Sequence, residues 1–300
     1  MNGRLGLIHS ILPMTADLRV SIPEDHYSTR NLGAERIGSG TIVDPDGYIL
    51  TVNYVVNGAK SITVTLADGK QYPGQVAALD FKTGLALVKI PGRDLPTIKP
   101  APSEELRPGQ AAFIVASSGE KGRRVSGGYV TSLESYDGQW EYLLEKTVRL
   151  TAFNPGFGGG TLVDLSGRMM GVVSLNLNEI GKFSMAIPIE YYLQYERELK
   201  QHGRVRSRPV RPWLGFYPQH FAGQIVISRV TPGGPAEKYG MREGDIIVGI
   251  GVKRIESRPE LYREIWNNRP GEKILFRILR EGEAVELEVI GVDRWDFHRS

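Results

Sequence analysis

Between residues 36 and 187 the apolar residues fall in short runs closed by glycine or proline turns. The segment SITVTLADGKQYPGQVAAL (61–79) sets Ile62, Val64 and Leu66 on one face and turns at Asp68-Gly69, the alternation and dipeptide of a hairpin. GTIVDPDGYILTV (40–52) places two apolar runs around a Pro-Asp-Gly turn. LALVKI (85–90), AAFIVA (111–116), GGYVTSL (127–133), TLVDLSGRMMGVVSLN (161–176) and FSMAIP (183–188) continue in the same style. Short strands at regular spacing close into barrels or sandwiches. The 36 glycines and 18 prolines are spread along the chain, as so many tight turns require. The Pro-rich stretch 96–110 reads as a crossover between two β units.

At 188 the period changes. PIEYYLQYERELKQHG (188–203) puts Ile189, Tyr192, Leu193 and Leu199 on one helical stripe and stops at Gly203. RVRSRPVR (204–211) reads as a basic linker. From 211 to 293 a separate small unit follows, with a short helix between Pro235 and Gly240, a capping box at Ser257 and Glu260, and a hairpin turning at REGE (280–283).

Composition excludes several functions. A net charge of +3 is too weak for a nucleic-acid surface, and Arg204, Arg206, Arg208 and Arg211 read as a solvated linker rather than a membrane contact. Without cysteine there is neither a disulfide framework nor thiolate chemistry. No His/Asp/Glu spacing stands out as a metal site, and no cofactor is expected. DPDG (44–47) reads as a β-turn rather than a calcium loop, because later ligands are missing. MNGRLGLIHSILPM (1–14) is a poor signal peptide, broken by Gly6, His9 and Ser10.

Three motifs carry a resemblance: GSGTIVDPDGYILTVNYVV (38–56), LDFKTGLALVKI (79–90) and NPGFGGGTLVDLSGRMMGV (154–172). In order and separation they resemble the HtrA/Deg serine proteases. The resemblance runs from about 36 to 293. It implies a mostly β chain, a chymotrypsin-like double β-barrel followed by a PDZ domain. The expected division is an N-terminal segment (1–35), barrels at about 36–95 and 108–187 with a helix to 203, a linker (204–210), a PDZ domain (211–293) and a tail (294–300).

The departures matter most. The family's general-base histidine falls on Tyr54, its orienting aspartate on Gly84 and its nucleophilic serine on Gly158. Phe157 and Thr161 also differ from the family pattern. Acyl transfer by a triad needs an attacking hydroxyl, an imidazole and a carboxylate. A phenol is a poor base at neutral pH, and glycine has no side chain. The backbone N–H groups of Gly156 and Gly158 remain as candidate oxyanion donors. Asp80 lies near Gly84, but a carboxylate has no imidazole to orient there. His9, His26, His202, His220 and His298 lie outside the matched motifs. SGEK (118–121) matches an S-x-x-K pattern, but its glycines disfavour the required helix.

RPWLGF (211–216) resembles the family's carboxylate-binding loop. The N–H groups of Leu214, Gly215 and Phe216 are the implied donors to a peptide C-terminus, with Trp213 beside them and Leu261 and Ile265 walling the groove. Pro218 removes one N–H from the proposed edge strand.

The expectation is therefore a chain that is not an enzyme: a pseudoprotease binding peptide or protein C-termini, or unfolded proteins, as scaffold, chaperone or regulator. The alternative is a serine endopeptidase with residual or rearranged activity. The resemblance also implies a homotrimer or a mixed assembly with an active relative, and a periplasmic or cell-envelope setting.

Overall fold

The computed structural model describes residues 2–119, 122–177 and 183–298. They divide into two compact units, one of Met1–Ser135 with Glu145–Arg206, the other of Tyr136–Leu144 with Ser207–Ser300.

The first unit holds two closed six-stranded antiparallel barrels. Barrel one is made of β1 (Thr15–Ser21), β2 (Glu35–Asp44), β3 (Tyr48–Val52), β4 (Ser61–Thr65), β5 (Gln71–Asp80) and β6 (Leu85–Lys89), in the order β1-β2-β3-β6-β5-β4. Leu18, Ile42, Ile49, Leu50, Leu85 and Leu87 are all fully buried, Leu50 and Leu87 on one face of the sheet and Ile42 and Ile49 on the other. The expected start at 36 is corrected here: β1 pairs with both β2 and β4 and closes the barrel. Its alternating Ala16, Leu18 and Val20 are buried.

Barrel two is made of β7 (Ala111–Ser117), β8 (Arg123–Gly138), β9 (Tyr142–Leu150), β10 (Gly160–Val163), β11 (Met169–Leu177) and β12 (Phe183–Pro188), in the order β10-β11-β12-β9-β8-β7. Ile114, Val130, Val148, Leu150, Leu162 and Met170 form its core. The helix expected over 188–203 is two short helices, Glu190–Leu193 and Glu196–His202, interrupted at Tyr195, whose φ is −125°. Gly203 ends the second in the left-handed region, φ 71°, and its N–H returns to the Leu199 carbonyl.

The second unit is a sheet ordered β14 (Phe216–Phe221), β15 (Gln224–Val230), β16 (Ile246–Ile250), β18 (Lys273–Arg280), β19 (Glu283–Ile290). A short β17 (Lys253–Arg254) pairs with β16, and β13 (Pro212–Trp213) pairs with β20 (Val292–Asp293). The helix Arg258–Trp266 lays Leu261, Tyr262 and Ile265 into the same core as Phe216, Ile227, Phe276 and Leu143. Its start keeps half of the capping box: Ser257 Oγ accepts from Glu260 N, while the Glu260 carboxylate reaches back one residue further, accepting from Glu256 N. Pro218 sits at a bulge of β14, where the register slips between Tyr217 and Pro218. The expected tail (294–300) holds a short element of its own. Arg294–Phe297 is a helical turn capped by Asp293, whose Oδ1 accepts from Trp295 N.

The loop ahead of β10 is clamped between the barrels. Ser39 N donates to Gly158 O at 2.7 Å, and Gly159 N donates to Val173 O at 2.8 Å. At Gly159, φ is 95° and a Cβ would stand 2.0 Å from the Ser39 carbonyl oxygen. Gly69 has φ 86° with nothing near its Cβ position. Gly159→Ala is therefore expected to lose about 3 kcal/mol or more in urea unfolding, and Gly69→Ala about 1 kcal/mol. Equal losses would show that inter-barrel packing at Gly159 carries no weight.

Candidate functional site

The three positions left by the family motifs come together. Tyr54 lies on a single helical turn, Asn53–Val56, at the end of β3. The backbone of that turn is held by Gly84, whose carbonyl accepts from Asn53 N at 2.7 Å, and by Arg36, whose Nη1 donates to Tyr54 O at 2.7 Å. The Tyr54 phenol reaches across to barrel two and donates to Ser174 O at 2.7 Å. Burial pushes this phenol above its ordinary value, which makes it a still weaker participant in proton transfer at neutral pH.

Tyr54 fills the place where a side chain at 158 would stand. A Cβ on Gly158 would lie 1.9 Å from the Tyr54 hydroxyl oxygen. The large residue and the absent one are a matched pair: the phenol occupies the volume that a serine needs. Gly84 has φ 80°, so an aspartate there would be strained as well. The Asp80 carboxylate is turned into its own loop, accepting from Lys82 N and Thr83 Oγ1.

In the glycine loop, Gly156 N donates to Asn154 Oδ1 at 3.3 Å and Phe157 N to Ser117 O at 2.9 Å. Thr161, where the family has proline, shares a hydrogen bond with Thr41 across the barrels. One hydroxyl–imidazole pair escaped the sequence reading. His26 Nδ1 lies 2.6 Å from Ser28 Oγ, which also accepts from Arg36 Nη2 at 2.6 Å. Burial first, then the Arg36 charge, lowers the pKa of His26, favouring the neutral imidazole. Ser28 and His26 are two residues apart, a spacing with no motif to flag it. In the SGEK stretch, Glu120 and Lys121 lie outside the described residues. Asp44 of DPDG closes its own turn, with Oδ1 accepting from Asp46 N and Oδ2 paired to Lys200. Among the described residues no group of acidic, histidine or cysteine side chains is arranged to hold a metal. No described helix is long and apolar enough to cross a membrane.

The second unit carries the other candidate site. The N–H groups of Leu214, Gly215 and Phe216 converge, and they converge on a carboxylate of the chain itself. Glu141 Oε1 accepts from Gly215 N at 2.6 Å and more loosely from Leu214 N and Phe216 N, at 3.2 and 3.3 Å; Oε2 accepts from Leu214 N at 3.0 Å. Gly215 supplies the left-handed turn, φ 82°, that aims the three donors together. Leu261 and Ile265 line the adjoining core, as Leu143 does. The Trp213 ring is buried, against Phe297 at 4.5 Å and His298 at 5.5 Å, with its edge beside Gly215.

Glu141 was invisible to the sequence reading because it lies in a hairpin turn more than seventy residues before its donors. Burial pushes its carboxyl up to about 7, against the lowering pull of the Leu214, Gly215 and Phe216 N–H groups and of the Arg294 charge.

The comparisons agree with this architecture. Residues 38–172 match the trypsin-like peptidase domain and residues 210–290 the PDZ domain. The chain is 32% identical over 278 residues to a probable periplasmic serine endoprotease DegP-like of Ectopseudomonas mendocina (strain ymp), covering 87% of this chain and 57% of that protein. It is 33% identical over 270 residues to the protein of the same name from Marinomonas sp. (strain MWYL1), covering 84% and 56%. Among solved structures, the HtrA-type protease AlgW with tripeptide superposes with a TM-score of 0.60 at 26% identity, covering 96% of each chain. The chain spans a little over half the length of the curated relatives it matches.

What these features define is a trypsin-like peptidase fold joined to a PDZ domain. The chain belongs to the HtrA/Deg family.

The relatives overturn one expectation, that the chain is not an enzyme. They are named as serine endoproteases, and the barrels match a peptidase domain. The physical reason is that a triad is only part of the machinery. Sites stripped of triad members keep roughly 10³–10⁴-fold catalysis over water from oxyanion donors and substrate binding. Three replaced side chains therefore do not by themselves make a non-enzyme.

Two outcomes follow from this geometry. Gly158→Ser alone forces the new side chain into the Tyr54 phenol and is expected to cost about 1–3 kcal/mol in urea unfolding. Adding Tyr54→His should recover most of it, and a neutral effect of Gly158→Ser would contradict the packing of this pair. For Glu141, the folded value near 7 lies above the ordinary 4.5. The folded chain then holds the proton more tightly, so this contribution to stability is full below about pH 4.5 and is lost as pH rises through 7, by at most roughly 3 kcal/mol. Stability measured from pH 4.5 to 8 should fall more steeply in the native chain than in Glu141→Gln. Parallel profiles would contradict the burial of this carboxyl.

Proposed function

We propose that this chain is a peptide-recognising member of its family: the PDZ domain takes peptide or protein C-termini and unfolded protein segments, and the barrels are those of a serine endopeptidase with residual or rearranged activity. The observation that carries the recognition half is the convergence of the Leu214, Gly215 and Phe216 N–H groups on one carboxylate, the arrangement that captures a peptide terminus. The related structure described with a tripeptide supports the same reading. For the barrels, support comes from the serine endoprotease names of the relatives. The activity is residual or rearranged because position 158 has no hydroxyl and the Tyr54 phenol fills the space beside it. The Ser28–His26 pair, joined through Arg36 to the Tyr54 turn, is the first place to look for a rearranged nucleophile.

The relatives are named as probable periplasmic endoproteases, and a periplasmic or cell-envelope setting is proposed for this chain. Assembly as a homotrimer, or mixed with an active relative, belongs to the same proposal, as do scaffold, chaperone and regulator roles for the PDZ-bound state.

The test is incubation of repurified protein with β-casein and with a fluorophosphonate probe. The expected result is slow cleavage, about 10⁴-fold or more below an intact-triad relative, with a probe adduct on a barrel serine identified by peptide mapping. Absence of both cleavage and adduct would sink the endopeptidase half and leave the recognition half to stand alone.

A further inference from the structure

The tip of the β8–β9 hairpin, Tyr136–Leu144, is counted with the second unit rather than with the barrel strands it connects. Four contacts fix it there. Glu141 fills the loop of converging N–H groups. Leu143, two residues on and 3% exposed, enters the core formed by Leu214, Phe216, Leu261 and Ile265. Tyr262 Oη donates to Gly138 O at 2.6 Å. Arg258 Nε pairs with Asp137 Oδ2 at 2.7 Å. A carboxylate held by successive backbone N–H groups with an apolar side chain sunk beside it is the chemical outline of a peptide's C-terminal residue. Here an internal glutamate and leucine draw it.

We infer that Glu141 is a built-in ligand of the carboxylate loop, and that a peptide with a free C-terminal carboxylate and an apolar last residue binds this chain by displacing it. The inference rests on the peptide-recognition reading above. The same three N–H groups have no capacity for two carboxylates at once, because Gly215 N and its neighbours already point at Glu141 Oε1. A purely structural brace has cheaper solutions, since burying a carboxyl among backbone donors costs free energy that an apolar side chain avoids. Glu141 also has φ 55°, a left-handed conformation costing a non-glycine residue on the order of 1 kcal/mol or more. β14 ends the sheet order and pairs only with β15 among the described residues. An arriving peptide therefore has a strand edge to pair with before its carboxylate competes for the loop. A loop filled by its own glutamate nine-tenths of the time lowers apparent peptide affinity roughly tenfold.

The experiment uses the full chain and calorimetric titration with synthetic decapeptides ending in Val, Leu or Phe, each as free acid and as C-terminal amide. Three proteins are compared: native, Glu141→Ala, and Glu141→Gln, which keeps the shape and hydrogen bonding if alanine fails to fold. The expected result is free-acid binding about tenfold or more tighter in Glu141→Ala, an intermediate gain in Glu141→Gln, and loss of binding for the amides. If native and variant proteins bind the free acids equally well, the self-ligand is overturned while peptide recognition stands. If none of the three binds any peptide, the recognition reading falls and takes this inference with it.

Discussion

The N–H groups of Leu214, Gly215 and Phe216 all aim at one buried point, and a buried point of that kind must be filled by an acceptor. In this chain the acceptor is the Glu141 carboxylate. The consequences spread outward. The β8–β9 tip is tied to the second unit, Leu143 joins that unit's core, and Tyr262 and Arg258 on the facing helix find partners at Gly138 and Asp137. The loop proposed to take peptide C-termini thereby also holds the β8–β9 tip, through the same three donors.

The barrels are organised around a different complementarity. The glycine loop is held in place by Ser39, Ser117 and Val173 backbone groups, contacts that need no catalytic side chain. Such a loop persists for packing reasons whatever stands at 158. Gly156 and Gly159 are required because a Cβ at either would meet a carbonyl oxygen of the other strands at 2.0 Å. Gly158 is required by Tyr54. The phenol reaches Ser174 O only because nothing projects from 158, so chemistry at this cleft and the present packing compete for the same volume.

Much of this architecture is written in local pattern. Strand alternation around DPDG and ADGK marks barrel one, and the change of period at 188 marks the helical connection. RPWLGF marks the loop of converging donors through its single permissive glycine. Other features depend on distance along the chain and leave no local trace. Glu141 looks like an ordinary polar turn residue in GQWEY, and its role appears only when residues 214–216 fold against it. β1 does alternate locally, at Ala16, Leu18 and Val20, but that it closes barrel one shows only where β2 and β4 flank it. Nothing near Trp213 in sequence announces its ring contact with Phe297, which forms only when the turn at 294–297 folds against it. The pairing of Tyr54 with Gly158 is visible in sequence as two separate replacements; that they fit one another is visible only in space.

The most direct measurement of the central contact is amide hydrogen exchange at Leu214, Gly215 and Phe216, read residue by residue in the native chain and in Glu141→Ala. If the glutamate carboxylate holds these donors, they exchange slowly in the native chain and at least tenfold faster in the variant, while amides of the β18–β19 ladder stay unchanged. Equal protection of the three amides in both proteins would contradict the account.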